Sequence, residues 1–90
     1  MNKILILEDD RKLNDGIRLA LRREDCTFLQ CQTIEEAREL LKKEKVRLIL
    51  LDLNLPDGNG LDFLQSQGRG TVKTAGYVRA DTVSGRPFFL

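Results

Sequence analysis

The sequence predicts an α/β chain built on a parallel sheet, and three observations point there. Residues 48–51 are four consecutive apolar side chains, Leu-Ile-Leu-Leu, which suits a strand buried on both faces. Lys3-Ile4-Leu5-Ile6-Leu7 is a second short apolar run. Helical and strand-like spacings alternate between the two, which implies right-handed crossovers joining parallel strands.

The first strand ends in Glu8-Asp9-Asp10, and Asp9 or Asp10 can cap a helix running to about Arg23. Leu13, Ile17, Ala20 and Leu21 recur at helical spacing and predict one apolar stripe on it. Gly16 inside that helix costs stability unless close packing requires it. Residues 27–32 read as a second strand, with Leu29 and Cys31 on a buried face and Gln30 and Gln32 on a wetter one, as at a sheet edge. Thr33-Ile34-Glu35-Glu36 is a capping box opening a helix to about Lys43 that buries Ala37, Leu40 and Leu41. On its exposed face Glu39 and Lys43 form an i,i+4 pair. The third strand covers residues 46–51. A third helix starts at Leu61, with Leu61 and Leu64 toward the core.

Ninety residues allow one small domain with a single core. Fifteen basic against fourteen acidic residues leave a net charge of +1, so bulk charge does not mark a nucleic-acid or membrane-surface binder. No apolar run reaches membrane-spanning length and the first residues are not a signal peptide, so a cytoplasmic location is expected. Cys26 and Cys31 lack metal-ligand spacing and there is no His, which leaves two reduced, partly buried thiols.

The chemistry concentrates where the two apolar strands end. A strand dry on both faces that stops at Asp52 delivers that carboxylate to the sheet's carboxyl edge, where open α/β sheets bind ligands. Asp also opens turns, and a Pro, Gly and Asn-rich loop follows at once, so taken alone the stretch favours reading Asp52 as a turn residue. Glu8, Asp9 and Asp10 shift the balance. If the strands are parallel neighbours, three or four carboxylates meet on one rim, where like charges raise one another's pKa and cost folding energy. Such an all-oxygen cluster suits a hard cation such as Mg²⁺.

Ile4-Leu5-Ile6-Leu7-Glu8-Asp9-Asp10 and Leu48-Ile49-Leu50-Leu51-Asp52-Leu53-Asn54-Leu55-Pro56-Asp57-Gly58-Asn59-Gly60, with their separation, resemble the receiver domain of two-component response regulators. The resemblance runs from the start to about Gln65 and is greatest to the subfamily that joins a receiver to a winged-helix DNA-binding domain, a domain absent here. It implies a flavodoxin-like doubly wound parallel sheet in the order 2-1-3-4-5, incomplete at its C-terminal side. The general rule for open α/β sheets is itself illustrated with a receiver of this kind, so the placement is not independent of it. Asp52 is then the phosphoacceptor for a sensor histidine kinase. Asp9 is a direct Mg²⁺ ligand, Glu8 acts through a water, and Asn54 offers its backbone carbonyl. Pro56 and Gly58 shape the following loop, while Asp57 and Asp62 face solvent. DNA would be reached only through an output domain not in this chain.

Past Gln65 the pattern departs from the family, so residues 1–67 read as three βα units and 68–90 as an atypical or shortened remainder. A shortened, internally deleted or foreign tail would each explain it. Residues 71–75 could be a fourth strand, although Lys73 suits a central strand badly. Thr74-Ala75 looks like the family's Thr-Ala pair, and Arg86-Pro87-Phe88 faintly like its Lys-Pro-Phe, but both cannot hold at ordinary spacing, because too few residues lie between them for a helix and a strand. Thr74 is thus the candidate to hydrogen-bond a bound phosphoryl group and Arg86 a weaker candidate to pair with it. Without a fourth strand the third has an open apolar edge, and self-association would close it. Two other classes compete. An aspartate-nucleophile phosphatase wants a second carboxylate where Asn54 stands, which argues against it. A pseudo-receiver would keep the fold as an interaction module without phosphorylation.

Overall fold

In chain order the elements are β1 (Asn2–Leu7), α1 (Arg11–Leu21), β2 (Cys26–Cys31), α2 (Ile34–Lys43), β3 (Leu48–Asp52), β4 (Asn54–Leu55), β5 (Gly58–Asn59), α3 (Gly60–Ser66), β6 (Lys73–Val78) and β7 (Phe88–Phe89). They come from a computed structural model that describes residues 2–55, 58–66, 73–78 and 88–89. The expectations for Pro56, Asp57 and Arg86, and for the side chains of Leu61 and Leu64, lie outside the described residues and side chains.

One sheet runs β2-β1-β3-β6-β7, and β4 pairs with β5 in a separate two-stranded ladder. The first four strands of the large sheet are parallel. The expected order is therefore present, with one correction: β7 is antiparallel to β6. Nine residues, 79–87, separate the two strands, fewer than the dozen or so a parallel crossover needs. The fourth strand is also shifted. It spans Lys73–Val78 rather than residues 71–75, and positions 71 and 72 lie outside the described residues. Because β6 pairs with β3 from Leu48↔Lys73 to Asp52↔Tyr77, the chain itself closes the edge for which a second copy was expected. The case for self-association rested on that open edge, which is filled.

Side-chain alternation divides the sheet. Leu5 and Leu7 of β1, Cys31 of β2, and Ile49 and Leu51 of β3 turn to one face. There they meet Ile34 and Ala37 of α2, Val46, Leu55, and Phe63 of α3. Leu40 and Leu41 pack against this core half-buried. Along β1 and β3 the intervening residues are Ile4, Ile6, Leu48 and Leu50; Ile6 is buried and the other three only half-buried. The α1 stripe behaves differently from expectation. Leu13, Ala20 and Leu21 are exposed, Ile17 is half-buried, and the buried residue of α1 is Asn14. Periodicity identifies which residues share a face; it does not say whether another element covers them.

The caps follow the sequence. Asp10 accepts from the Leu13 amide at 3.2 Å, and the Thr33 hydroxyl accepts from the Glu36 amide at 3.1 Å. Glu36 reaches back to the Gln32 amide at 3.4 Å, one residue before the cap. Glu39 pairs with Lys42 at 3.2 Å rather than with Lys43, an exposed contact of small energetic weight. Both cysteines are free. Burial, with a smaller effect from the Glu36 charge, pushes the Cys31 thiol up to about 12, so it stays protonated.

Candidate functional site

Parallel pairing of Leu7 with Leu51 brings Glu8 and Asp52, the next residue on each strand, to the same level of the sheet edge. Glu8 and Asp52 are fully buried and Asp9 is half-buried. One carboxylate oxygen from each of the three lies within 4.8 Å of the others. The cluster expected at the rim is therefore assembled, and its all-oxygen donor set suits a hard cation.

The Glu8 and Asp52 carboxylates are each held by their surroundings, and Asp9 is held through its backbone. Glu8 Oε2 accepts from the Asp10 amide at 2.8 Å, and Glu8 Oε1 accepts from the Tyr77 hydroxyl at 2.6 Å. The Asn54 amide donates to Asp52 Oδ1 at 2.9 Å, so Asn54 sits beside Asp52 as expected from its spacing. The Gln32 side chain donates to the Asp9 carbonyl at 3.2 Å. Asn14 ties the rim to α1, donating to the carbonyls of Glu8 and Cys31, each at 3.0 Å, and accepting from Gln30 at 2.8 Å.

Thr74 is not brought to this cluster. It pairs with Ile49, three residues before the level of Asp52, or about 10 Å along the strand. The register puts Tyr77 opposite Asp52 instead. A one-dimensional match to a Thr-Ala pair says nothing about which residue of β6 arrives at the edge.

Sequence reasoning missed Tyr77, Asn14 and Gly60. Asn14 had a legible signal: it shares i, i+3, i+7 spacing with Ile17 and Leu21, so a polar residue stood inside an apolar stripe. Tyr77 had none, because its role depends on strand register.

Burial pushes the Glu8 carboxyl up to about 7, reinforced by the Asp52 charge and by Asp9, and opposed by the Tyr77 hydroxyl and the Asp10 amide. The folded state thus binds this proton more tightly than the unfolded chain, whose value is 4.5. The resulting stability is fully present below the unfolded value and is lost as pH rises through about 7. Denaturant unfolding without divalent cation is expected to show a loss of up to roughly 3 kcal/mol between pH 4.5 and 8, absent in Glu8→Gln. An equal slope in the variant would assign the effect to another group.

Residues 4–74 match the family described as the response regulator receiver domain. The chain is 38% identical over 63 residues to response regulator protein PilR of Pseudomonas aeruginosa, covering 70% of this chain and 14% of that protein. It is 42% identical over 62 residues to transcriptional regulatory protein PmrA of Pectobacterium parmentieri, covering 69% of this chain and 28% of that protein. Among solved structures, the MaeR response regulator bound to beryllium trifluoride superposes with a TM-score of 0.72 at 33% identity, over 84% of this chain and 66% of that one. The chain therefore spans less than a third of either curated relative.

Proposed function

This chain belongs to the response regulator receiver family, and from that premise we propose that it is a phosphoacceptor domain in which Asp52 takes a phosphoryl group from a sensor histidine kinase. The observation that carries the reading is the convergence of Glu8, Asp9 and Asp52 on one sheet edge. In the transfer, an Asp52 oxygen forms a bond to phosphorus as the phosphorus–nitrogen bond of phosphohistidine breaks. The imidazole leaves and takes up a proton. The ionised carboxylate is a competent oxygen nucleophile, and the reaction needs mainly positioning and charge neutralisation. The Asn54 amide fixes one Asp52 oxygen in place. Glu8, Asp9, Asp52 and the Asn54 carbonyl would hold Mg²⁺, with Glu8 acting through a water. The chemistry Mg²⁺ supplies when bound is neutralisation of the carboxylate and phosphoryl charge. The transcriptional output would lie in a DNA-binding domain beyond this chain, and the setting would be the cytoplasm. Among the described residues no helix is long and apolar enough to cross a membrane.

One observation favours a second reading, an interaction module without phosphorylation: Asp52 is wholly buried while Thr74 lies away from it. Intact-mass measurement after treatment with an acyl phosphate and Mg²⁺ separates the two. A single added phosphoryl group, absent in Asp52→Asn, is the expected result. Equal labelling of that variant would move the acceptor elsewhere, and no labelling of either form would favour the second reading.

A further inference from the structure

Tyr77 and Glu8 stand on strands separated by β3. Neighbouring strands lie about 4.8 Å apart, so β6 and β1 are about 10 Å apart. The register pairs Tyr77 with Asp52 and brings Asp52 level with Glu8. A phenol that starts on β6 and donates to Glu8 Oε1 at 2.6 Å must therefore cross β3 at the level of Asp52. Both ends of this span are secured. The Tyr77 carbonyl accepts from the Leu53 amide at 2.8 Å, and the other Glu8 oxygen is held by the Asp10 amide. Glu8 and Asp52 are 0% exposed and Tyr77 is 7% exposed.

A phosphoryl group must approach Asp52 in line with the bond it leaves, and Glu8, Asp52 and Tyr77 lie buried side by side at that level of the sheet edge. Asp9 is the more open member of the cluster. We infer that Tyr77 controls access to Asp52: its phenol is a strap tied to Glu8 that has to be released before a phosphodonor can reach the carboxylate. This rests on the reading of Asp52 as phosphoacceptor. Release would be felt along β6, because the Tyr77 backbone pairs with Asp52 on one side and Phe89 on the other.

The test compares wild type, Tyr77→Phe and Tyr77→Ser in the full chain with Mg²⁺ present. Tyr77→Phe keeps the ring and removes the tie; Tyr77→Ser removes both. Labelling by an acyl phosphate, in which Asp52 oxygen bonds to phosphorus as the donor carboxylate departs, is expected to accelerate about tenfold in Tyr77→Phe, the equivalent of one charge-assisted hydrogen bond, and further in Tyr77→Ser. Equilibrium binding of beryllofluoride, followed by fluorine NMR, should tighten in the same order. Val46→Ala, in the core and away from the rim, supplies a comparable loss of stability and should not accelerate labelling. Unchanged rates in both Tyr77 variants, with wild type labelled and Asp52→Asn unlabelled, overturn the strap and leave the acceptor standing. Absence of labelling and of beryllofluoride binding in every form overturns both. Should the variants fail to fold, the wild type decides, since Tyr77 is the single tyrosine and there is no tryptophan. A tyrosine difference spectrum of exposure on saturation with beryllofluoride supports release, and an unchanged spectrum at saturation refutes it.

Discussion

Gly60→Ala is expected to destabilise the protein by roughly 3–5 kcal/mol, the size of a severe core lesion, and to lower its melting temperature by more than about 10 °C. A Cβ at this position would lie 2.5 Å from the Asp52 carbonyl oxygen and 2.6 Å from Leu53 Cα. Both obstacles are backbone, so no rotamer change relieves them. The segment cannot drift away either, because the Gly60 amide donates to the Leu53 carbonyl at 2.9 Å and the Leu53 amide donates to Tyr77 at 2.8 Å. The start of α3 is thus pressed against the strand end that carries Asp52, and moving one moves the other. Gly16→Ala is the matched control. Its Cβ would meet nothing within 4 Å, which also removes close packing as the reason for that glycine. Relief of glycine's helix penalty should make Gly16→Ala more stable by up to about 1 kcal/mol. Thermal melts of the two variants should move in opposite directions, and equal behaviour would mean the contact at Gly60 is not rigid.

On the proposed Mg²⁺ site, Asp9→Ala is expected to abolish most of the rise in melting temperature that the cation would produce, while leaving the cation-free protein as stable as wild type or more so. Above about pH 7, where Glu8 is ionised as well, three carboxylates with oxygens within 4.8 Å repel one another when no cation neutralises them. At that spacing a pair of full charges near a protein surface costs about 1–3 kcal/mol, which removal of Asp9 relieves. With the cation present the sign reverses, since a ligand has been lost and affinity should fall at least about tenfold. Melts with and without Mg²⁺ measure both halves at once. A variant that keeps the full cation-dependent rise would exclude Asp9 as a ligand.

Much of this protein was legible before any tertiary information. The apolar runs at β1 and β3, the caps at Asp10 and Thr33, and the strand–helix alternation are local features, set by side chains within a few residues of one another. They suffice to place Glu8, Asp9 and Asp52 on one edge, because parallel strands end on the same side and alternation fixes which residues reach it. What lay beyond was decided by contacts between distant segments. The antiparallel β7, the placement of Tyr77 rather than Thr74 at the edge, the exposure of the α1 stripe and the contact at Gly60 all depend on how one segment slides against or covers another. A period of two or of 3.6 identifies the residues that share a face. It carries no information about the offset between two strands, and an offset of three residues along β6 separates a threonine opposite Ile49 from a tyrosine bound to Glu8.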